Sequence, residues 1–125
     1  MYTETLTPLE EALINRLIEV ISGSKDIESV YLFGSRARGE GNIESDIDIA
    51  VIVKDRKMIK DVTRRMVDAS IKIGEELDIS GEIILSPIVI EEALLKGDLG
   101  IGKRIREEGV FLWSKRLRRK KEETT

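Results

Sequence analysis

Apolar positions along this chain follow two kinds of pattern. Between Thr7 and Ser22 they recur at helical spacing, as Leu9, Leu13, Leu17 and Val20, and "TPLE" at 7–10 supplies the start: Thr7 as N-cap, Pro8 in the first turn, Glu10 reaching back in a capping box. From about Asp55 to Leu77 a second stripe, Ile59, Val62, Met66, Ala69, Ile73 and Leu77, predicts an amphipathic helix that covers a sheet. The other apolar residues crowd into short runs rich in β-formers. "SVYLF" at 29–33, "DIDIAVIV" at 46–53 and "GEIILSPIVI" at 81–90 read as strands. After the third come a short helix, "EEALLK", a glycine-rich connection, "GDLGIG", a further helical turn, "KRIREEG", and a last apolar run, "VFLW". Helices and strands alternate, which implies an α/β domain with helices on a small sheet.

Composition narrows the chemistry. A chain of 125 residues fits one compact domain, here 1–114 with a tail at 115–125. It contains neither cysteine nor histidine, so disulfides, thiolate zinc sites, cysteine nucleophiles and every mechanism built on an imidazole base are excluded together. Proton and metal chemistry falls to carboxylates. No apolar run reaches the roughly 18 residues that span a bilayer, and the first residues lack the basic start and apolar stretch of a signal peptide; the expected location is the cytoplasm, with no membrane partner. Charged residues make up 36% of the chain and glutamine is absent, a balance that leans towards thermophilic proteins. Six of the 21 basic residues lie within 115–121, leaving 15 against 22 acidic on residues 1–114, so an acidic body of charge −7 carries a basic tail.

One segment, "GSRARGEGNIESDID" at 34–48, concentrates the candidate chemistry. Side chains alternate across a strand, so Asp46 and Asp48 share a face, with Cβ atoms roughly 6–7 Å apart, while Ile47, Ile49 and Val51 take the other. Two carboxylates side by side on an otherwise apolar strand repel each other and lose hydration, a costly arrangement unless a cation lies between them. A hard divalent ion with oxygen ligands, Mg²⁺ above all, meets that need, and magnesium keeps positions for water and phosphate oxygens. Gly34 and Ser35 follow the first strand, where a turn would aim backbone N–H groups and the Ser35 hydroxyl at an anion. Arg36 and Arg38 add positive charge, Arg36 being favoured because it follows Ser35 directly. Taken singly, Gly-Ser is an ordinary turn and D-x-D a solvated face. Together, ahead of a strand whose "IAVIV" demands burial, they point to a phosphate and metal site.

"LFGSRARG" followed by "SDIDIAV", with Asp46 twelve positions after Gly34, resembles the paired motif of the minimal nucleotidyltransferases, the smallest members of the polymerase-beta-like superfamily. The resemblance runs over most of the chain, from the leading helix to "EEGVFLW". It implies an α+β fold, a small mixed β-sheet covered by helices. It implies transfer of a nucleoside monophosphate, AMP from ATP above all, to a hydroxyl with pyrophosphate leaving. Gly34 and Ser35 would hold the β- and γ-phosphates, and Asp46 and Asp48 would bind two magnesium ions. Two metals about 3.5–4 Å apart suit in-line attack at phosphorus without a covalent intermediate, which fits a chain lacking histidine and cysteine.

Many relatives add a third carboxylate on a later strand. Here Glu82 opens the third strand on the face of Ile84 and Ser86, Asp78 stands in the preceding turn, and a chain with no third acid is the remaining alternative. A decoy, "GDLGIGK" at 97–103, matches part of a P-loop, but Arg104 stands where Ser or Thr is required and a helix, not a strand, precedes it. The basic tail reads first as a solvated or loosely helical terminus; if it acts, it would attract RNA or an acidic protein, and aromatics for base stacking are scarce, Trp113 being the nearest. By resemblance the partner is a helical protein of the HEPN kind in a toxin–antitoxin pair, modified on a tyrosine; self-association into a homo-oligomer is a further partner expectation. The rival readings are a non-catalytic module that neutralises a partner by masking it, and transfer to a small molecule.

Overall fold

The computed structural model describes residues 6–34, 47–78, 85–98 and 100–115. Helix α1 (Pro8–Ile21) begins as its sequence dictates: the Glu10 N–H donates to Thr7 Oγ1 at 3.1 Å and the Thr7 N–H donates to Glu10 Oε1 at 2.8 Å, closing the capping box. Its buried face differs from the expected stripe. Leu13, Ile14, Leu17 and Ile21 face the core, while Leu9 and Val20 are exposed, at 41% and 47%. The helix is rotated so that adjacent Leu13 and Ile14 both enter the core.

Strands β1 (Ile27–Phe33) and β2 (Ile47–Val53) run antiparallel, with Phe33 opposite Asp48 at one end and Ile27 opposite Val53 at the other. A 3-10 turn at Arg56–Met58, capped by the Asp55 side chain, leads into helix α2 (Ile59–Glu76). Its expected stripe holds: Val62, Met66 and Ile73 are buried, and Ile59, Ala69 and Leu77 pack beside them. The chain returns as β3 (Leu85–Glu91), parallel to β2, so β2–α2–β3 is a crossover unit. Helices α3 (Glu92–Lys96) and α4 (Gly100–Glu108) precede the last strand, β4 (Val110–Ser114), antiparallel to β1. The mixed sheet has the order β3-β2-β1-β4, the α+β architecture expected.

Because β2 is central, both its faces are covered. Ile47 and residues 49–53 are 0% exposed. Ile47, Ile49, Val51 and Val53 meet α1 and α2 in the larger core, whereas Ala50 and Ile52 join Ile90, Leu95 and Ile105 in a smaller core under α3 and α4. The period of two thus divides one strand between two cores.

The boundaries around α3 and α4 depart from expectation. Glu91 closes β3, so α3 starts at Glu92. The glycine-rich stretch is not wholly a connection, for Gly100, Ile101 and Gly102 form the first turn of α4. Glycine disfavours a helix by about 1 kcal/mol, yet Gly102 is required here by proximity. A Cβ at that position would overlap the Leu94 carbonyl oxygen and stand 2.6 Å from its carbon, so the missing side chain lets α4 seat directly on the end of α3. Among the described residues no helix is long and apolar enough to cross a membrane.

Candidate nucleotide and metal site

The sheet end where β1 stops and β2 starts is where the motif residues meet. Asp48 is paired with Phe33 on one side and with Ser86 of β3 on the other. By strand parity it shares the face of Ala50 and Ile52 and opposes Ile47, Ile49 and Val51, as the alternation predicts. It is the one partly exposed position in a strand otherwise sealed on both faces.

Gly34 ends β1 in the left-handed region, φ +77. A Cβ built there would fall onto Asp48 Oδ2, 3.2 Å from Cγ and 3.4 Å from Cβ. The glycine is therefore needed twice, for its backbone conformation and because the carboxylate occupies the volume a side chain would take. This contact ties the first motif to the second: the residue that begins the expected phosphate turn lies against an acid of the expected metal pair.

A pocket of about 370 Å³ opens beside this contact, lined by Phe33, Gly34 and Asp48 from the sheet and by Gly100, Ile101, Arg104 and Glu108 from α4. Its volume falls within the range of small-molecule sites. The α4 contribution was not foreseen from the sequence, because reading 97–102 as a connection hid the first turn. With the helix begun at Gly100, Ile101, Arg104, Ile105 and Glu108 fall at i, i+3, i+4 and i+7, a single face; that spacing is the signal that would have found them.

Of the other expected site residues, Ser35, Arg36, Arg38, Asp46 and Glu82 lie outside the described residues, as does the tail from Arg116 onward. Asp78, the alternative third acid, is exposed in the turn after α2 at φ 55, where its N–H donates to the Glu75 carbonyl at 3.1 Å; it does not line the pocket. The P-loop decoy follows helix α3 rather than a strand, as its context predicted, and its residues 100–103 belong to α4.

A larger cleft, about 900 Å³, lies at the opposite sheet end among Lys25, Asp26, Lys54, Asp55, Glu91 and Lys115. Volume alone does not select it. It is open and mixed in charge, and its walls include ion pairs, Arg65–Asp26 at 2.7 Å and Lys115–Glu28 at 3.7 Å, that already join several of its charges. Neither Gly34 nor Asp48 is near it.

An acidic oxygen at the mouth of a dry strand is the donor type that hard cations take, and among the described residues it belongs to no group of three or more acidic side chains placed to hold a metal ion. Asp48 supplies that donor, and the space that a side chain at residue 34 would fill is the space the carboxylate uses.

Residues 15–116 match the family model described as polymerase beta, nucleotidyltransferase. A provisionally named protein adenylyltransferase from Methanocaldococcus jannaschii is 32% identical over 68 residues, covering 54% of this chain and 64% of that protein, so the match spans less than two thirds of the relative's length. Among solved structures, a provisionally named nucleotidyltransferase from Sulfolobus solfataricus is 27% identical, covers 90% of this chain and 93% of its own, and superposes with a TM-score of 0.46. A toxin–antitoxin structure with AMP-PNP is 23% identical over 83% of this chain and 73% of its own, also at 0.46. The architecture of this chain rests on its own sheet order and register.

Proposed function

Given that this chain belongs to the polymerase beta nucleotidyltransferase family, we propose that it is a magnesium-dependent nucleotidyltransferase that moves AMP from ATP to a hydroxyl of a macromolecule. The observation that carries this reading is the contact between Gly34 and the Asp48 carboxylate at the mouth of the 370 Å³ pocket. It joins the two halves of the motif in space, which their separation in sequence does not by itself achieve.

In this reading Asp48, with Asp46, holds the divalent ions, and Glu82 is the candidate third ligand. When bound, those ions offset the negative charge that builds on the phosphate oxygens. The protein's own residues do the rest. Gly34 and Ser35 seat the β- and γ-phosphates, with Arg36 and Arg38 beside them. The acceptor oxygen forms its bond to the α-phosphorus as the bond to the bridging oxygen breaks, and pyrophosphate leaves with that electron pair. The hydroxyl proton goes to a carboxylate, since the chain offers no imidazole. Ser35 is no nucleophile in this reading, because the chain contains no imidazole to activate its hydroxyl.

For the acceptor we propose a tyrosine of a helical HEPN-type partner, which makes the chain an antitoxin. The Methanocaldococcus jannaschii relative is provisionally named a protein adenylyltransferase, which supports a protein as the acceptor. Incubation with ATP labelled at the α-phosphate, Mg²⁺ and the protein encoded beside it should label that protein. Asp48→Asn should abolish the label while leaving the fold intact. Neutralisation of the partner that persists at one-to-one stoichiometry in Asp48→Asn, with no label transferred by the wild type, would replace transfer by masking.

A further inference from the structure

The segment that imitates a P-loop leads to a residue with a use of its own. Helix α4 carries three cations in described positions beyond its first turn, and two are engaged: Lys103 lies 4.0 Å from Glu107, and Arg106 donates to the Gly97 carbonyl at 2.6 Å and lies 3.8 Å from Asp98. The third, Arg104, is exposed, has no ion pair or hydrogen bond within the described structure, and lines the pocket that contains Gly34 and Asp48. It is the only cation among the described residues lining that pocket, whose lining also includes the acids Asp48 and Glu108.

We propose that Arg104 is a phosphate-recognition residue: its guanidinium closes on the phosphate tail of the bound nucleoside triphosphate from the wall opposite the Gly34 turn. This rests on the nucleotidyltransferase reading of the same pocket. A planar guanidinium presents paired N–H donors to phosphate oxygens and is always charged, which suits a polyanion better than a nucleoside. Its position is fixed through α4. Gly102 seats that helix on the Leu94 backbone, and Ile105, three residues further on, is fully buried against the sheet; Arg104 lies between these two anchors. A residue on a helix pinned on both sides of it has its backbone already placed, so binding has only the side chain to order.

The test is titration calorimetry of the intact chain with ATP, ADP and AMP, with Mg²⁺ and with chelator, beside far-UV circular dichroism of each variant. Arg104→Ala should weaken ATP by roughly tenfold or more, as expected for loss of a charge-assisted hydrogen bond, and ADP by less. AMP should be unaffected, because it lacks the phosphates that Arg104 contacts. Arg104→Lys should recover part of the ATP affinity, and Lys103→Ala should bind as the wild type. If Arg104→Ala binds ATP as tightly as the wild type, the assignment is overturned while the family reading stands. Equal losses for ATP and AMP would also overturn it, since they would mean a distorted pocket rather than a lost phosphate contact. A wild type that binds no ATP under either condition would overturn both the assignment and the proposed use of ATP at this pocket.

Discussion

Replacing Gly34 by alanine separates two costs that the structure assigns to one position. The first is conformational: at φ +77 an L-residue sits in the left-handed region, which costs about 1–2 kcal/mol, partly offset by about 0.4–1 kcal/mol because alanine narrows the unfolded ensemble. The second is steric. The new Cβ would land on Asp48 Oδ2, and relieving that overlap by swinging the carboxylate or shifting the strand costs about 1–3 kcal/mol. The combined loss should be about 1–4 kcal/mol, read from urea denaturation with an unchanged m-value. Only the steric part depends on the carboxylate. In an Asp48→Ala background the nearest remaining atom is the residue 48 Cβ at 3.4 Å, an ordinary contact, so the cost of Gly34→Ala should fall to about 0–1.5 kcal/mol. A double-mutant cycle should therefore return a coupling of about 1–3 kcal/mol. Equal costs in the two backgrounds would refute the contact between the motifs, and no cost in either would refute the backbone conformation as well.

Three further outcomes follow from the packing. Ile49→Ala should cost about 2–5 kcal/mol in chemical denaturation, because the side chain is fully buried in the larger core under α1 and α2. Thr7→Ala should cost about 1 kcal/mol in the same measurement by removing the acceptor for the Glu10 N–H, and Thr7→Ser should restore most of it. Gly102→Ala should lower stability by about 1–3 kcal/mol, since its Cβ meets rigid backbone at Leu94 and Leu95, and the displaced α4 should weaken ATP binding measured by calorimetry.

Local chemistry determined much of this protein. The capping box at Thr7 and Glu10 needs only residues three apart, so it was legible before any tertiary contact was known. Strand alternation likewise divided Asp48 from Ile47, Ile49 and Val51, because a period of two is a property of the backbone. The stripe of α2 named its buried face for the same reason. What periodicity does not report is which element a face will meet, or how far it rotates to meet it. Hence Ile14 and Ile21 enter the core while Leu9 and Val20 stay exposed: the choice depends on the surfaces of α2 and the sheet. The start of α4 was hidden by its glycines, whose weak helix propensity reads as a link until the backbone of α3 is seen to leave no room for a Cβ at Gly102. The wall of the pocket followed from that. Arg104 and Glu108 stand 70 and 74 positions after Gly34, and only the seating of one helix end on another brings them to the sheet end where Gly34 touches Asp48.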